Sequence, residues 1–212
     1  GRAALAKSKG TLIEIMAGVQ YIRSRPTLLT LFGLSTLIGA LGLSYHAFLP
    51  IFQANVLHVG EASLGFMYAA IGVGALIGSL TMAFLSGSSR RGQILIFSSA
   101  CLGFFLALFA FSTLYPISMS LLILMGISGQ VSLVTTRIFL IMNIDRTYYG
   151  RVMSVYLMSL ALQPVAVLPL SALVDHIGVQ TTVSATGVLL TIAIIVIAIV
   201  RPSIWRISTA TK

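Results

Sequence analysis

The chain has 212 residues, 58% of them hydrophobic and 8% charged, where an average soluble domain is about 25% charged. A soluble fold of this size could not bury so much apolar surface, so the composition excludes one and requires a bilayer. The net charge of +9 would suggest nucleic acid if it formed a patch on a soluble surface. Here it sits at the ends of apolar runs, where it meets anionic lipid headgroups, and no nucleic-acid partner is expected.

Residues 1–26 read as a cytoplasmic linker. The first ten, GRAALAKSKG, carry charge but no apolar core, so they are not a signal peptide, and a start without Met reads as a cut in a longer chain. Leu12, Ile15, Met16, Val19 and Ile22 then recur three and four residues apart, with Glu14, Gln20 and Arg23 between them. That spacing predicts an amphipathic helix lying along the membrane surface, set off from the first apolar run by Arg23-Ser24-Arg25-Pro26. A spanning helix needs about 20 apolar residues. Between residues 27 and 201 six runs reach that length: 28–52, 63–85, 94–113, 117–142, 152–174 and 181–200. Residues 202–212 form a cytoplasmic tail. Cys101, the single cysteine, lies inside the third run, which excludes a disulfide framework.

The joints between the runs are of two kinds. Those after the second and fourth hold Arg90, Arg91, Arg146 and Arg151. Those after the first, third and fifth hold no Lys or Arg; His58, Glu61, Asp175 and His176 lie there instead. Every Lys and Arg except Arg137 falls in the basic joints or at the two ends. Cytoplasmic loops are enriched in Lys and Arg, and this bias sets orientation. The sequence therefore specifies an all-α integral membrane protein with six crossings and both termini cytoplasmic.

Glycines and prolines punctuate the runs. Gly33, Gly39 and Gly42 lie in the first; Gly65, Gly72, Gly74 and Gly78 lie in the second, the last two as a GxxxG. Lipid provides no hydrophobic drive between helices, so small residues mark closely packed faces, and Gly72, Gly74 and Gly78 are expected at one. Pro50, Pro164 and Pro169 mark bends, tolerable where neighbours satisfy the freed carbonyls.

Few residues could carry chemistry. Arg137 is an ionisable group inside a span, which costs about 2.5–3.5 kcal/mol at mid-membrane on insertion scales and faces a cavity or a partner, unless it is near enough to the end to snorkel. On a helical wheel Gln130 and Arg137 share one side, expected to face an aqueous path, while Ser128, Ser132, Thr135 and Thr136 cover the side expected to pack. His46 and Gln53 share a side of the first run. A membrane His can relay protons because its pKa lies near physiological pH; it can also be a hydrogen-bonder near the outer interface. Gln163 precedes Pro164, where a bend could expose backbone carbonyls to a substrate. Arg90, Arg91, Asp145, Arg146 and Arg151 place charge at the cytoplasmic ends, as topology signals or as a latch. No His/Cys/Asp/Glu cluster has metal-ligand spacing, and no cofactor-binding loop is visible. Gly126-Ile-Ser-Gly129 resembles the GxSG of rhomboid intramembrane proteases, but the sixth run lacks the histidine that would activate the serine; His176 lies in the joint before it. An enzyme is not expected.

Four passages carry a family resemblance: Glu14-Ile-Met-Ala-Gly-Val-Gln-Tyr-Ile-Arg-Ser-Arg-Pro26; Leu49-Pro-Ile-Phe52 followed by Gly65-Phe-Met-Tyr-Ala-Ala-Ile-Gly-Val-Gly-Ala-Leu-Ile-Gly78; Gly150-Arg-Val-Met-Ser154; and Ala172-Leu-Val-Asp-His-Ile-Gly178. In order and spacing they resemble the C-terminal half, helices seven to twelve, of a major facilitator superfamily transporter, most similar to the bacterial branch that includes enterobactin exporters. Two places depart from the family. Ser88 and Ser89 precede the basic pair where relatives often have Asp, and Asp145 and Tyr149 stand where relatives often have Pro and Arg.

The resemblance implies half of a major facilitator fold, itself an inverted three-plus-three repeat, and secondary active transport by alternating access. It implies efflux of a small amphiphilic, siderophore-like or drug-like compound across a bacterial cytoplasmic (inner) membrane, with protons as a coupling ion by family alone. One half makes one cavity wall, so the missing N-terminal six-helix half is the expected partner, in the same longer chain or in a second one. Arg137, Gln130, His46, Gln53 and Gln163 are the candidate substrate contacts. Two rivals have their own signatures. A sensor or scaffold subunit would carry a soluble domain, and none is visible in these residues. A channel would repeat polar residues down one helix face, and none does.

Overall fold

A computed structural model describes residues 16–85, 90–161 and 163–200. Leu12, Glu14, Ile15, Ser88, Ser89, the tail and the side chain of Gln163 lie outside the described residues. Residues 16–24 form α1. Pro26, with its fixed φ and no N–H to satisfy, suits the first position of a helix and opens α2 (Pro26–Leu37). A π-helical turn over Ile38–Gly42 and a bend at Leu43 and Ser44 lead to α3 (Tyr45–Asn55). Next come α4 (Ala62–Phe84), α5 (Arg91–Phe111) and α6 (Tyr115–Asn143). A 3-10 turn, Arg146–Tyr148, enters α7 (Tyr149–Ala161), then α8 (Gln163–Ile177) and α9 (Val179–Val200). Among the described residues six segments are long and apolar enough to cross a membrane, the first being Pro26–Asn55 and the fifth Arg146–Ile177. The first span is thus not the continuous helix its composition predicts: the backbone widens at Ile38–Gly42.

Glycine decides which helices touch. α4 and α6 run side by side in the same direction, and a Cβ on Gly74 would overlap the Ile123 carbonyl, one on Gly78 would come within 2.7 Å of the Ile127 carbonyl, and one on Gly126 would overlap the Ile71 carbonyl. α5 and α9 cross through Gly103 and Gly187, where a Cβ on Gly187 would lie 2.6 Å from the Ala107 nitrogen and 2.7 Å from the Gly103 carbonyl. Backbones this close gain dispersion contacts that a larger residue would prevent. α5 joins the two pairs through hydroxyls. Ser98 bonds Ser132 at 2.8 Å, Ser99 donates to Ser132 at 3.2 Å, and Ser112 bonds Ser118 at 2.8 Å. The expected Ser/Thr face of α6 is the packed one: Ser128, Ser132, Thr135 and Thr136 are all buried, and each hydroxyl donates to a carbonyl four residues back.

The first span lies across this four-helix core, with Phe52 on Phe109 (ring centroids 4.7 Å apart) and Gly42 against Leu102 and Leu190. The fifth packs on the first span and on α9. Only Val152 and Tyr156 of α7 are buried, and no described side chain of α8 is. The joint between α8 and α9 is Gly178 alone, at φ +84, a left-handed conformation that an L side chain adopts reluctantly.

Candidate functional site

Hydrogen bonds between α5 and α6 set a depth scale. Arg91 donates to the Met142 sulfur at 3.1 Å at one end, called the basic end because Arg90, Arg91, Arg146 and Arg151 share it. Leu102 is midway along α5, and Gly42 and Gly129 both stand against its side chain. The π-turn of the first span therefore lies at mid-depth. Such widened turns recur at functional sites because they leave backbone groups without regular helical partners. Transporter sites are built from interrupted helices at that depth.

Just beyond the turn, Leu43, Ser44, His46 and Ala47 face Leu160, Ala161, Pro164 and Val167 of the fifth span across a cavity of about 450 Å³. Toward the basic end it adjoins a smaller hollow of about 110 Å³, lined by Ser35, Thr36, Gly39 and Ala40 opposite Ser159, Leu160 and Ala166. Leu160 borders both, so the two form one groove between the first and fifth spans. Its walls are apolar with hydroxyls interspersed. Those hydroxyls donate to their own helices, Ser35 and Thr36 both to the Phe32 carbonyl, Ser44 to Leu41 and Ser159 to Tyr156, and keep acceptor capacity for a ligand. Pro164 has no N–H to return to the Leu160 carbonyl, so that carbonyl lacks its helical donor. A volume of this size suits a small organic molecule.

His46 owes its setting to Pro50, which likewise cannot donate to the His46 carbonyl. The Tyr68 hydroxyl of α4 does so instead, at 2.9 Å. The imidazole stacks on Tyr45 at 4.4 Å and, more loosely, on Tyr68 at 6.2 Å. An aromatic column thus stands at one edge of the cavity.

The other candidates fall elsewhere. Gln53, 8% exposed, donates through its amide to the Val59 carbonyl and holds the turn after α3 rather than lining the groove. Gln130, near mid-depth, donates to the Ser79 hydroxyl at 3.1 Å across the α4–α6 seam. Arg137 is exposed on the side of α6 that also carries the exposed Ile141, one turn on. The bond at Met142 puts it five residues inside the basic end, roughly 7.5 Å, so a guanidinium can snorkel toward that end. Neither residue borders the groove. Gly74 and Gly78 sit in the α4–α6 seam, whereas nothing lies within 4 Å of the Cβ position of Gly72, because two residues along a helix turn the side chain to another face. Ser128 is buried and bonded to the Leu124 carbonyl, a poor setting for a nucleophile. Among the described residues, no group of three His, Cys, Asp or Glu could hold a metal.

The basic end holds a second arrangement. Asp145 accepts from Arg25 at 2.8 Å and from the Tyr21 hydroxyl at 2.8 Å, and the Tyr21 hydroxyl accepts from the Asp145 backbone N–H at 3.2 Å. Tyr21 stacks on Tyr148 at 4.4 Å, Arg25 stands 5.3 Å from the Tyr21 ring, and Arg151 stands 5.8 Å from the Tyr148 ring. A Cβ on Gly18 would lie 2.9 Å from the Arg151 carbonyl. α1 therefore docks through Gly18, Tyr21 and Ile22, with Arg25 just after it, while Met16 and Val19 of its apolar face are exposed, free to meet a membrane surface. An exposed ion pair alone contributes about 0.2–1 kcal/mol; the stacked rings add about 0.5–1.5 kcal/mol. The sequence groups Asp145 with the basic residues of its own joint, but its ion-pair partner comes from the linker. Tyr21, Arg25 and Tyr148 give no such signal, since they meet Asp145 only in three dimensions.

Six apolar spans around a glycine-packed core define a multi-pass helical membrane protein. Over 128 residues, 59% of this chain, it is 33% identical to the enterobactin exporter EntS of Escherichia coli O81 (strain ED1a), a stretch that covers 29% of that protein. It is also 33% identical over 125 residues to the enterobactin exporter EntS of Shigella flexneri and 32% identical over 128 residues to that of Escherichia coli O139:H28. The matched stretch thus spans less than a third of each relative. No family model matches the chain, and no solved structure matches it.

Proposed function

We propose that this chain forms one six-helix wall of a major facilitator-type exporter, and that the groove between its first and fifth spans takes the substrate during alternating access. The observation that carries the proposal is the mid-depth meeting of a π-turn with a proline-bearing helix around an apolar, hydroxyl-lined cavity. Similarity to enterobactin exporters supports efflux as the direction, and a small amphiphilic compound, siderophore-like or drug-like, as the cargo. The positive-inside bias makes the basic end cytoplasmic and puts both termini there, in a bacterial cytoplasmic membrane. A second six-helix half supplies the facing wall. Arg137 stands at the cytoplasmic mouth toward that half, and Gln130 at mid-depth beside the α4–α6 seam.

Everted vesicles from cells making the full-length transporter that contains this chain provide the test, with enterobactin and a lipophilic dye as separate probes. The proposal expects saturable uptake of at least one, abolished by Ala47→Trp at unchanged membrane abundance. Arg137→Ala is expected to lower flux without loss of expression. Flux unaffected by Ala47→Trp would contradict the groove as the path.

A further inference from the structure

The clamp at the basic end and the groove share one helix. α7 begins beside Tyr148 and Arg151, where α1 grips it, and ends at Leu160 and Ala161, which line the cavity. Ten residues of helix separate the two places, roughly 15 Å. Val152 and Tyr156 are the only side chains of α7 that are buried, with Met153, Val155 and Leu160 packed half-buried against the core. α1 contributes close backbone approach at Gly18 and ring stacking at Tyr21, and Arg25, just after it, the pair with Asp145. We infer that α1 is a strap: pinned at Asp145, it sets the position of α7 and through it the width of the groove, so that movement of the chain preceding the first span is transmitted to the substrate cavity. The polar pin is exposed, 51% at Arg25 and 58% at Asp145, so it can open and close without burying a charge.

The inference rests on the groove being the transporter's cavity, and its test needs no transport. In the full-length protein with Cys101→Ala, Ala47→Cys places a thiol in the groove, and its rate of alkylation by N-ethylmaleimide in native membranes reports access. Asp145→Asn, which keeps shape and removes charge, is expected to change that rate several-fold. The exchange Arg25→Asp with Asp145→Arg is expected to restore it. An unchanged rate in Asp145→Asn would overturn the strap. A changed rate that the exchange does not restore would overturn the ion pair as its pin. Absence of flux for every compound tried would refute the exporter reading while leaving the labelling result intact.

Discussion

At the scale of single residues, two tyrosines make opposite predictions. Tyr68 serves a carbonyl that Pro50 has orphaned, so Tyr68→Phe should destabilise the protein by about 0.6–1 kcal/mol. Pro50→Ala restores a helical N–H to that carbonyl, and in its background the same change should cost nothing; thermal unfolding in detergent checks the cycle, and equal costs in both backgrounds would contradict the assignment. Tyr156 is fully buried against Phe32, and its hydroxyl has no partner among the described residues. Tyr156→Phe should therefore leave the unfolding temperature unchanged or raise it, while Tyr156→Ala, which empties the space, should cost about 3 kcal/mol. The sequence singles out His46 as a polar residue in a span and Pro50 as a bend. It does not show that the two belong to one arrangement, because the hydroxyl that links them stands 22 residues away. Gln53 misleads for a simpler reason: seven residues on, it shares a helix face with His46 but lies about 10 Å further along the axis, where the turn at Val59 needs a donor.

At the scale of elements, the tight seams are glycine seams and the groove is where glycine contact is missing. Gly74→Ala drives a methyl into the backbone of α6 and should cost about 1–3 kcal/mol, whereas Gly72→Ala should stay within about 0.5 kcal/mol. Equal losses at both positions, measured by heat denaturation of the purified protein, would contradict the seam. The six spans are legible in the sequence because a run of about 20 apolar residues is a length signal that needs no partner to be read. The interior of the first span is not, because a π-turn inserts one residue into an otherwise helical pattern, and composition alone does not register it. α1 is legible as an amphipathic helix, but its docking face is not. Gly18 is invisible to a hydrophobic period, and close approach to the Arg151 carbonyl needs a missing side chain rather than an apolar one.

At the scale of the whole molecule, the described spans divide into α4, α5, α6 and α9, whose backbones meet at close glycine seams, and the first and fifth spans, which pack on them and flank the groove. That division suits a wall that changes shape against a partner, and the full-length polypeptide should migrate at roughly twice the 22.5 kDa of this chain, as two six-helix halves require. The sequence carries an orientation signal in its alternating charge, but the groove emerges only when Leu43–Ala47 meet Leu160, Ala161, Pro164 and Val167. The most direct test places one thiol on each side of it, Ala47→Cys and Val167→Cys, in the full-length protein with Cys101→Ala, reconstituted in liposomes. A short reversible bis-thiosulfonate cross-link between them should arrest saturable flux of the transported probe, and a reductant should restore it. Full flux through the cross-linked protein would contradict the groove as the path of transport.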